Sequence, residues 1–167
     1  MLSLIKEYNL PSVFPEPVIE EAKRCGNKVD KKEIPNRVDF RNKKIFTIDG
    51  EDAKDLDDAV RVEKLENGNY KLEVHIADVS YYVKENSLLD QEALLRGTSI
   101  YMLGRVIPML PRELSNGICS LNAGEDRLTL SCIMEINPQG EVISREVVKG
   151  IISVTKRMSY KKKKKII

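Results

Sequence analysis

Between Asp49 and Asp58 the chain places six carboxylates in ten residues: Asp49, Glu51, Asp52, Asp55, Asp57 and Asp58. Like charges this close repel one another and resist burial. A folded chain keeps such a cluster either as a solvated loop or with a cation that compensates it. Hard divalent cations such as Mg²⁺ take oxygen ligands, which carboxylates supply. A helix–loop–helix calcium loop is excluded, because it needs glycine at its sixth position and glutamate at its twelfth. A register starting at Asp49 has Lys54 and Val60 there, and one starting at Asp55 has Val60 at the sixth. The spacing of Asp49, Asp55, Asp57 and Asp58 suits a different arrangement. Ile45 to Ile48 is an apolar run that ends at Asp49, and Asp57-Asp58 open the next strand-like run, Ala59 to Val62. Two strand ends brought together can hold one or two ions. A pair of Mg²⁺ ions roughly 4 Å apart can activate a water and stabilise the leaving oxygen in phosphodiester cleavage.

The elements around the cluster can be read from pattern. Residues 1–36 form a lead-in: Leu10-Pro11 and Phe14-Pro15-Glu16-Pro17 are extended, Val18–Cys25 is a short helix closed by Gly26, and the charged stretch after it is linker-like. Strands are expected at Lys44–Ile48, Ala59–Leu65 and Tyr70–Ala77, the last two joined through Asn67-Gly68, a strong hairpin signal. In the third, Tyr70, Leu72, Val74 and Ile76 alternate with Lys71, Glu73 and His75. One face should therefore be buried, with His75 on the polar one. Ser87 opens a helix with a capping-box-like pattern and Gly97 closes it. Thr98–Met102 is short and β-like, Ile107–Pro111 is a loop, and Arg127–Ile136 alternates again before Asn137-Pro138-Gln139-Gly140 turns it into a final strand over Glu141–Val154. There is no internal repeat. The expected fold class is α+β, a mainly antiparallel sheet with flanking helices.

Composition narrows the function classes. Residues 1–44 carry ten basic and seven acidic side chains, residues 45–58 one lysine against six acids, and residues 59–167 seventeen basic against thirteen acidic. A small acidic centre in an otherwise basic chain suits a metal-dependent enzyme acting on a polyanion; an acidic loop on an ordinary surface is the plainer alternative. No apolar run approaches the ~18–20 residues of a membrane helix, and the N-terminus lacks the apolar core of a signal peptide. Cys25, Cys119 and Cys132 are widely spaced and His75 is the sole histidine, which argues against a structural zinc site and for reduced thiols in a cytoplasmic protein.

Four segments resemble a known family: Thr-Ile-Asp-Gly-Glu-Asp-Ala-Lys-Asp-Leu-Asp-Asp-Ala (47–59), Val-His-Ile-Ala-Asp-Val-Ser-Tyr-Tyr-Val (74–83), Arg-Gly-Thr-Ser-Ile-Tyr (96–101) and Ile-Pro-Met-Leu-Pro-Arg-Glu-Leu-Ser-Asn-Gly-Ile-Cys-Ser-Leu (107–121). In this order they resemble the RNB-type catalytic domain of the ribonuclease II / ribonuclease R family, nearest its ribonuclease R branch. The resemblance runs from about Pro11 to Tyr160 and makes residues 37–167 the N-terminal part of such a domain. It implies a Mg²⁺-dependent 3′→5′ exoribonuclease that hydrolyses single-stranded RNA to nucleoside 5′-monophosphates, with no DNA or membrane partner. It implies that Asp49, Asp55, Asp57 and Asp58 form the metal centre. Asp49, Asp55 and Asp58 would be ligands, and Asp57 and Asp55 the catalytic carboxylates, Asp57 the one most needed for the chemical step. It places on Tyr101 the tyrosine that stacks on a base near the scissile end. Glu51 and Asp52 are left as solvated loop acids, His75 and Asp78 as structural groups, and Arg112 and Arg127 as phosphate contacts or plain surface residues. Lys161–Lys165 is a solvated run or a basic RNA contact.

Only about half of such a domain is covered. The remainder, with its flanking OB-fold RNA-binding domains, is the expected partner, and the chain by itself is expected to be weak or inactive. It is also expected to expose apolar surface and to associate. The alternative is a non-catalytic RNA- or protein-binding module on the same fold; the four intact aspartates favour the enzyme.

Overall fold

The computed structural model describes residues 2–160; the lysine run 161–165 lies outside the described residues. The chain folds around a seven-stranded sheet in the order β1-β8-β7-β4-β3-β2-β9. Its strands are β1 (Val38–Asp39), β2 (Phe46–Asp49), β3 (Asp58–Lys64), β4 (Tyr70–Ala77), β7 (Asp126–Ile136), β8 (Val142–Ser153) and β9 (Lys156–Ser159), while β5 (Ile100–Met102) and β6 (Arg105–Ile107) make a separate hairpin. Pairing is antiparallel except for the two edges, where β1 runs parallel to β8 and β9 parallel to β2. Helices α1 (Leu2–Glu7), α2 (Glu16–Arg24), α3 (Val79–Tyr82) and α4 (Leu88–Arg96) flank the sheet, with a 3₁₀ turn at Lys31–Asn36 and a wide π-type turn at Glu113–Ile118. The fold is α+β with a mainly antiparallel sheet, as the sequence pattern predicts.

Local chemistry explains the elements that the pattern locates well. Gly68 adopts φ +86° in the β3–β4 turn, and the Asn67 side chain accepts from the Asn69 amide at 3.0 Å. Ser87 caps α4 by accepting from the Asp90 amide at 3.2 Å. Three strands escape the pattern, among them β6, whose Ile107 falls where a loop is expected. Thr155 ends the run through β8, and the chain returns as β9, whose residues Lys156-Arg157-Met158-Ser159 lack a clear apolar period. The two-residue β1 is too short to carry one. The lead-in also packs: Val18 and Ala22 of α2 are buried with Leu89 of α4 and with Leu114, Ile118 and Cys119.

The main core gathers Phe40, Ile45, Leu56, Ala59, Ala77, Leu121, Ile152 and Val154 on one side of the sheet. The burial expected along β4 is inverted there. Glu73 and His75 are fully buried, while Ile76 is 46% and Tyr70 40% exposed. The alternation is real, but the polar face is the covered one. Residues 37–45 cross that face. Phe40 meets His75 edge-on with ring centroids 5.1 Å apart, and Lys43 reaches Glu73 at 3.2 Å. Gly150 lets Phe40 approach: a Cβ there would lie 2.8 Å from the hydroxyls of both Ser131 and Thr129 and 3.1 Å from the Phe40 ring. No element among the described residues makes a comparable cover for the opposite face, where Val62, Ile76, Leu130 and Val147 are exposed.

Candidate functional site

The acidic stretch occupies one end of the sheet. Asp49 is the last residue of β2 and Asp58 the first of β3. The strands pair antiparallel through Phe46 and Val60, a register that, carried on as they diverge, sets Asp49 across from Asp57. Asp55 lies in the connecting loop. Leu56 fixes that loop, being 1% exposed within the main core. The carboxylates on either side of it are thereby held near the surface instead of drifting into solvent.

Hydrogen bonds hold the loop backbone at four places. At its start, the Arg157 guanidinium donates to the carbonyls of Gly50 and Glu51, both at 2.8 Å. In its middle, the Ser120 hydroxyl donates to the Lys54 carbonyl at 2.9 Å and accepts the Leu56 amide at 3.1 Å. The Leu121 amide donates to the Leu56 carbonyl at 2.8 Å, and the Ala77 amide to the Asp57 carbonyl at 3.0 Å.

The carboxylates feel one another. The Asp49 carboxyl is raised above its ordinary value by burial and by repulsion from Asp58, against the pull of Arg157. Asp57 is also raised, first because the surrounding protein strips its hydration and then by Asp55, Asp58 and Asp49. Asp49 Oδ2 is buried and has no hydrogen-bond donor, and neither does the buried hydroxyl of Ser159, its β9 partner in register. A buried carboxylate oxygen without a donor, among repelling oxygens, is a donor set that fits a hard cation. Among the described residues no three histidine, cysteine, aspartate or glutamate side chains yet converge at ligating distances.

Tyr101, on the β5–β6 hairpin, comes to the same place. Its hydroxyl donates to Asp55 Oδ2. That bond, with burial and the charges of Asp55 and Asp57, pushes its phenol up to about 12. The residue is still 66% exposed, so ring surface stays open beside the aspartates. Next to it a small cleft of about 90 Å³ is lined by Lys54, Asp55, Arg112, Ser115 and Asn116, with Val106 and Pro108. Arg112 is exposed. Arg127 is neither a phosphate contact nor a surface residue: it is buried, and its guanidinium donates to the carbonyls of Ser120 (2.7 Å), Asp126 (2.8 Å) and Gly117 (3.2 Å) and to Glu125.

His75 lies away from the aspartates. Its Nδ1 is 2.8 Å from the Ser131 hydroxyl, and burial holds its pKa down to about 4, with Glu73 opposing and Lys43 and Arg61 adding to the depression. Asp78 is buried in an ion pair with Arg37 at 2.8 Å. Glu51 and Asp52 are exposed. Pattern reading missed Ser120, Arg157 and Ser159. Ser120 sits inside the Ile-Cys-Ser-Leu run and Arg157 inside a polar edge strand, so only the tertiary contacts reveal what they do.

The RNB domain model matches residues 37–167. Ribonuclease R of Thermotoga maritima is 57% identical over 162 residues, a match covering 96% of this chain and 23% of that protein. Ribonuclease R 1 of Lactococcus lactis is 56% identical over 160 residues, 96% of this chain and 20% of that protein. Among solved structures, Mycoplasma genitalium RNase R in complex with double-stranded RNA superposes with a TM-score of 0.92 at 32% identity, over 99% of this chain and 29% of that one. The chain thus spans about a fifth to a quarter of the length of the curated relatives it matches. A match over most of the chain, with the aspartate loop, the tyrosine hairpin and the sheet in one arrangement, leads to one conclusion: the chain belongs to the RNB domain family.

Proposed function

We propose that this chain carries the aspartate centre of a 3′→5′ exoribonuclease that hydrolyses single-stranded RNA to nucleoside 5′-monophosphates. The observation that carries the reading is the gathering of Asp49, Asp55, Asp57 and Asp58 at one sheet end, with Asp49 Oδ2 buried and undonated. Asp49, Asp55 and Asp58 are assigned to holding Mg²⁺, with Asp57 beside them. Mg²⁺ bound there would neutralise the carboxylates and supply Lewis-acid activation of water for phosphodiester cleavage. Asp57 accepts the proton of the water that attacks the scissile phosphorus. The open ring face of Tyr101 stacks on a base near the 3′ end, a contact worth ~1–3 kcal/mol and tolerant of base identity. Lys54 and Arg112, lining the cleft beside Asp55, face the phosphates. The remainder of an RNB domain and OB-fold RNA-binding domains are the inferred partners, and the cytoplasm the inferred compartment. Among the described residues no helix is long and apolar enough to cross a membrane.

The test is the shortening of a 5′-labelled single-stranded RNA with Mg²⁺, run with EDTA, with Asp57→Asn and with a DNA oligonucleotide. We expect weak or no shortening by the chain alone, and shortening once the rest of an RNB domain is supplied. Failure in both conditions sinks the enzyme reading. Equal shortening by Asp57→Asn sinks the role of Asp57. The second reading, a binding module without catalysis, is favoured by the carboxylates not yet converging; it predicts RNA binding that survives EDTA and no shortening at all.

A further inference from the structure

Ser120 is fully buried and lies far from the acidic stretch in sequence, yet its hydroxyl contacts that loop on both sides of one residue. It donates to the Lys54 carbonyl at 2.9 Å and accepts the Leu56 amide at 3.1 Å. A hydroxyl has one hydrogen to give, and of its two acceptors the Lys54 carbonyl is nearer than Asn122 Oδ1 at 3.4 Å. The Leu121 amide adds a third bond, to the Leu56 carbonyl at 2.8 Å. The Ser120–Leu121 pair therefore grips three backbone groups, and the residue between Lys54 and Leu56 is Asp55. The carboxylate of Asp55 is fixed at its far end by the Tyr101 hydroxyl. Ser120 is fixed in turn: the buried Arg127 holds its carbonyl at 2.7 Å and the Gly117 carbonyl at 3.2 Å.

We propose that Ser120 is a positioning residue for the cation site, its hydroxyl holding the Asp55 backbone so that the carboxylate is presented to the metal. Arg127 is the brace behind it. The inference rests on the metal reading of the acidic centre. Groups that orient a metal ligand from behind typically change metal affinity by about 10–100-fold when removed.

Mn²⁺ affinity of the chain, measured by calorimetric titration, tests this without catalysis. Ser120→Ala should weaken Mn²⁺ binding by about 10–100-fold. Ser131→Ala removes a buried hydroxyl of the same size that pairs with His75, and should leave affinity within about twofold. In an Asp55→Asn background, Ser120→Ala should have little further effect, since two changes acting through one group do not add. Ser120→Cys fills the space with a weak hydrogen-bonding group and carries the same test if the alanine variant loses its β-sheet circular dichroism. Folded Ser120 variants that bind Mn²⁺ at full strength overturn the inference. So does a full additional loss in the Asp55→Asn background, or an equal loss from Ser131→Ala. A folded parent chain that binds no Mn²⁺ overturns the metal reading itself, and with it the role of Ser120.

Discussion

On one face of the central sheet, Arg61, Glu73, His75 and Ser131 lie beneath the segment 37–45; on the other, Val62, Ile76, Leu130 and Val147 lie open. Both faces come from the same strands, and both follow the period of two that strands impose. What separates them is what crosses over them. On the covered face the polar groups pair with one another in part: Glu73 Oε1 takes Arg61 at 2.9 Å, Lys43 at 3.2 Å and Lys71 at 3.8 Å, and Thr129, Ser131 and His75 Nδ1 form a hydrogen-bonded chain, while Glu73 Oε2 and His75 Nε2 are buried without a hydrogen-bond partner. On the open face apolar residues stand opposite one another across the ladders, Val62 with Leu72 and Ile76 with Leu130. Alternation establishes that two faces differ, and only the chain's path decides which becomes interior.

The comparison is broken most severely at Glu73. Removing one member of a buried ionic group leaves charge without a partner, at about 3–5 kcal/mol. Arg61 and Lys43 are partly exposed and can rehydrate, so Glu73→Ala should cost about 3 kcal/mol, at the lower end of that range. Val62→Ala, on the open face, should stay within about 0.5 kcal/mol. Urea unfolding of the two variants checks both numbers. A Glu73→Ala loss as small as that of Val62→Ala would mean the covered network adds nothing to stability.

Acid should separate the faces next. His75 has a folded pKa near 4 against about 6.5 unfolded. Between those values the unfolded chain binds a proton that the folded chain refuses. Stability is therefore unaffected by this group above about pH 6.5 and falls as pH drops toward 4, by up to about 3 kcal/mol. His75→Gln should flatten that part of the stability–pH curve, whereas Ile76→Thr should shift the curve without changing its shape. An equally steep curve for His75→Gln would place the acid sensitivity elsewhere.

Gly150→Ala adds a single carbon to the covered face, 2.8 Å from two hydroxyls and 3.1 Å from Phe40. Overpacking of this kind costs about 1–3 kcal/mol, readable as a lowered thermal midpoint. Ser131→Ala in the same chain should recover part of the loss by removing one of the crowding atoms.

These contrasts also show where sequence reading stops. Tyr70–Ala77, the Asn67-Gly68 turn and the capped helix after Ser87 were legible because each is specified by neighbours in sequence. The acidic loop was legible because six carboxylates in ten residues demand an explanation. The buried face of β4 was not, since it depends on Phe40 and Lys43 arriving from another segment. Neither were Ser120 and Arg157, which reach the loop across 66 and 107 residues respectively. Nothing in their local pattern distinguishes them from any other serine or arginine.

The smallest effect on folding, and the most specific to the open face, should come from Ile76 and Leu130. They are cross-strand partners, 46% and 40% exposed. In the monomer much of their surface already meets water, and threonine keeps the branched shape that strands favour, so Ile76→Thr/Leu130→Thr should change unfolding free energy by no more than about 0.5 kcal/mol per site. In any associated form this face is the surface that gains by leaving water, at about 25 cal/mol per Å², and a contiguous apolar patch of this kind marks an interface. Sedimentation at rising concentration should therefore show the parent chain associating and the double variant remaining smaller at equal concentration. A double variant that loses 2 kcal/mol or more, the scale of a buried aliphatic truncation, would mean the face is covered after all. An unchanged mass distribution at equal stability would move the associating surface off the sheet.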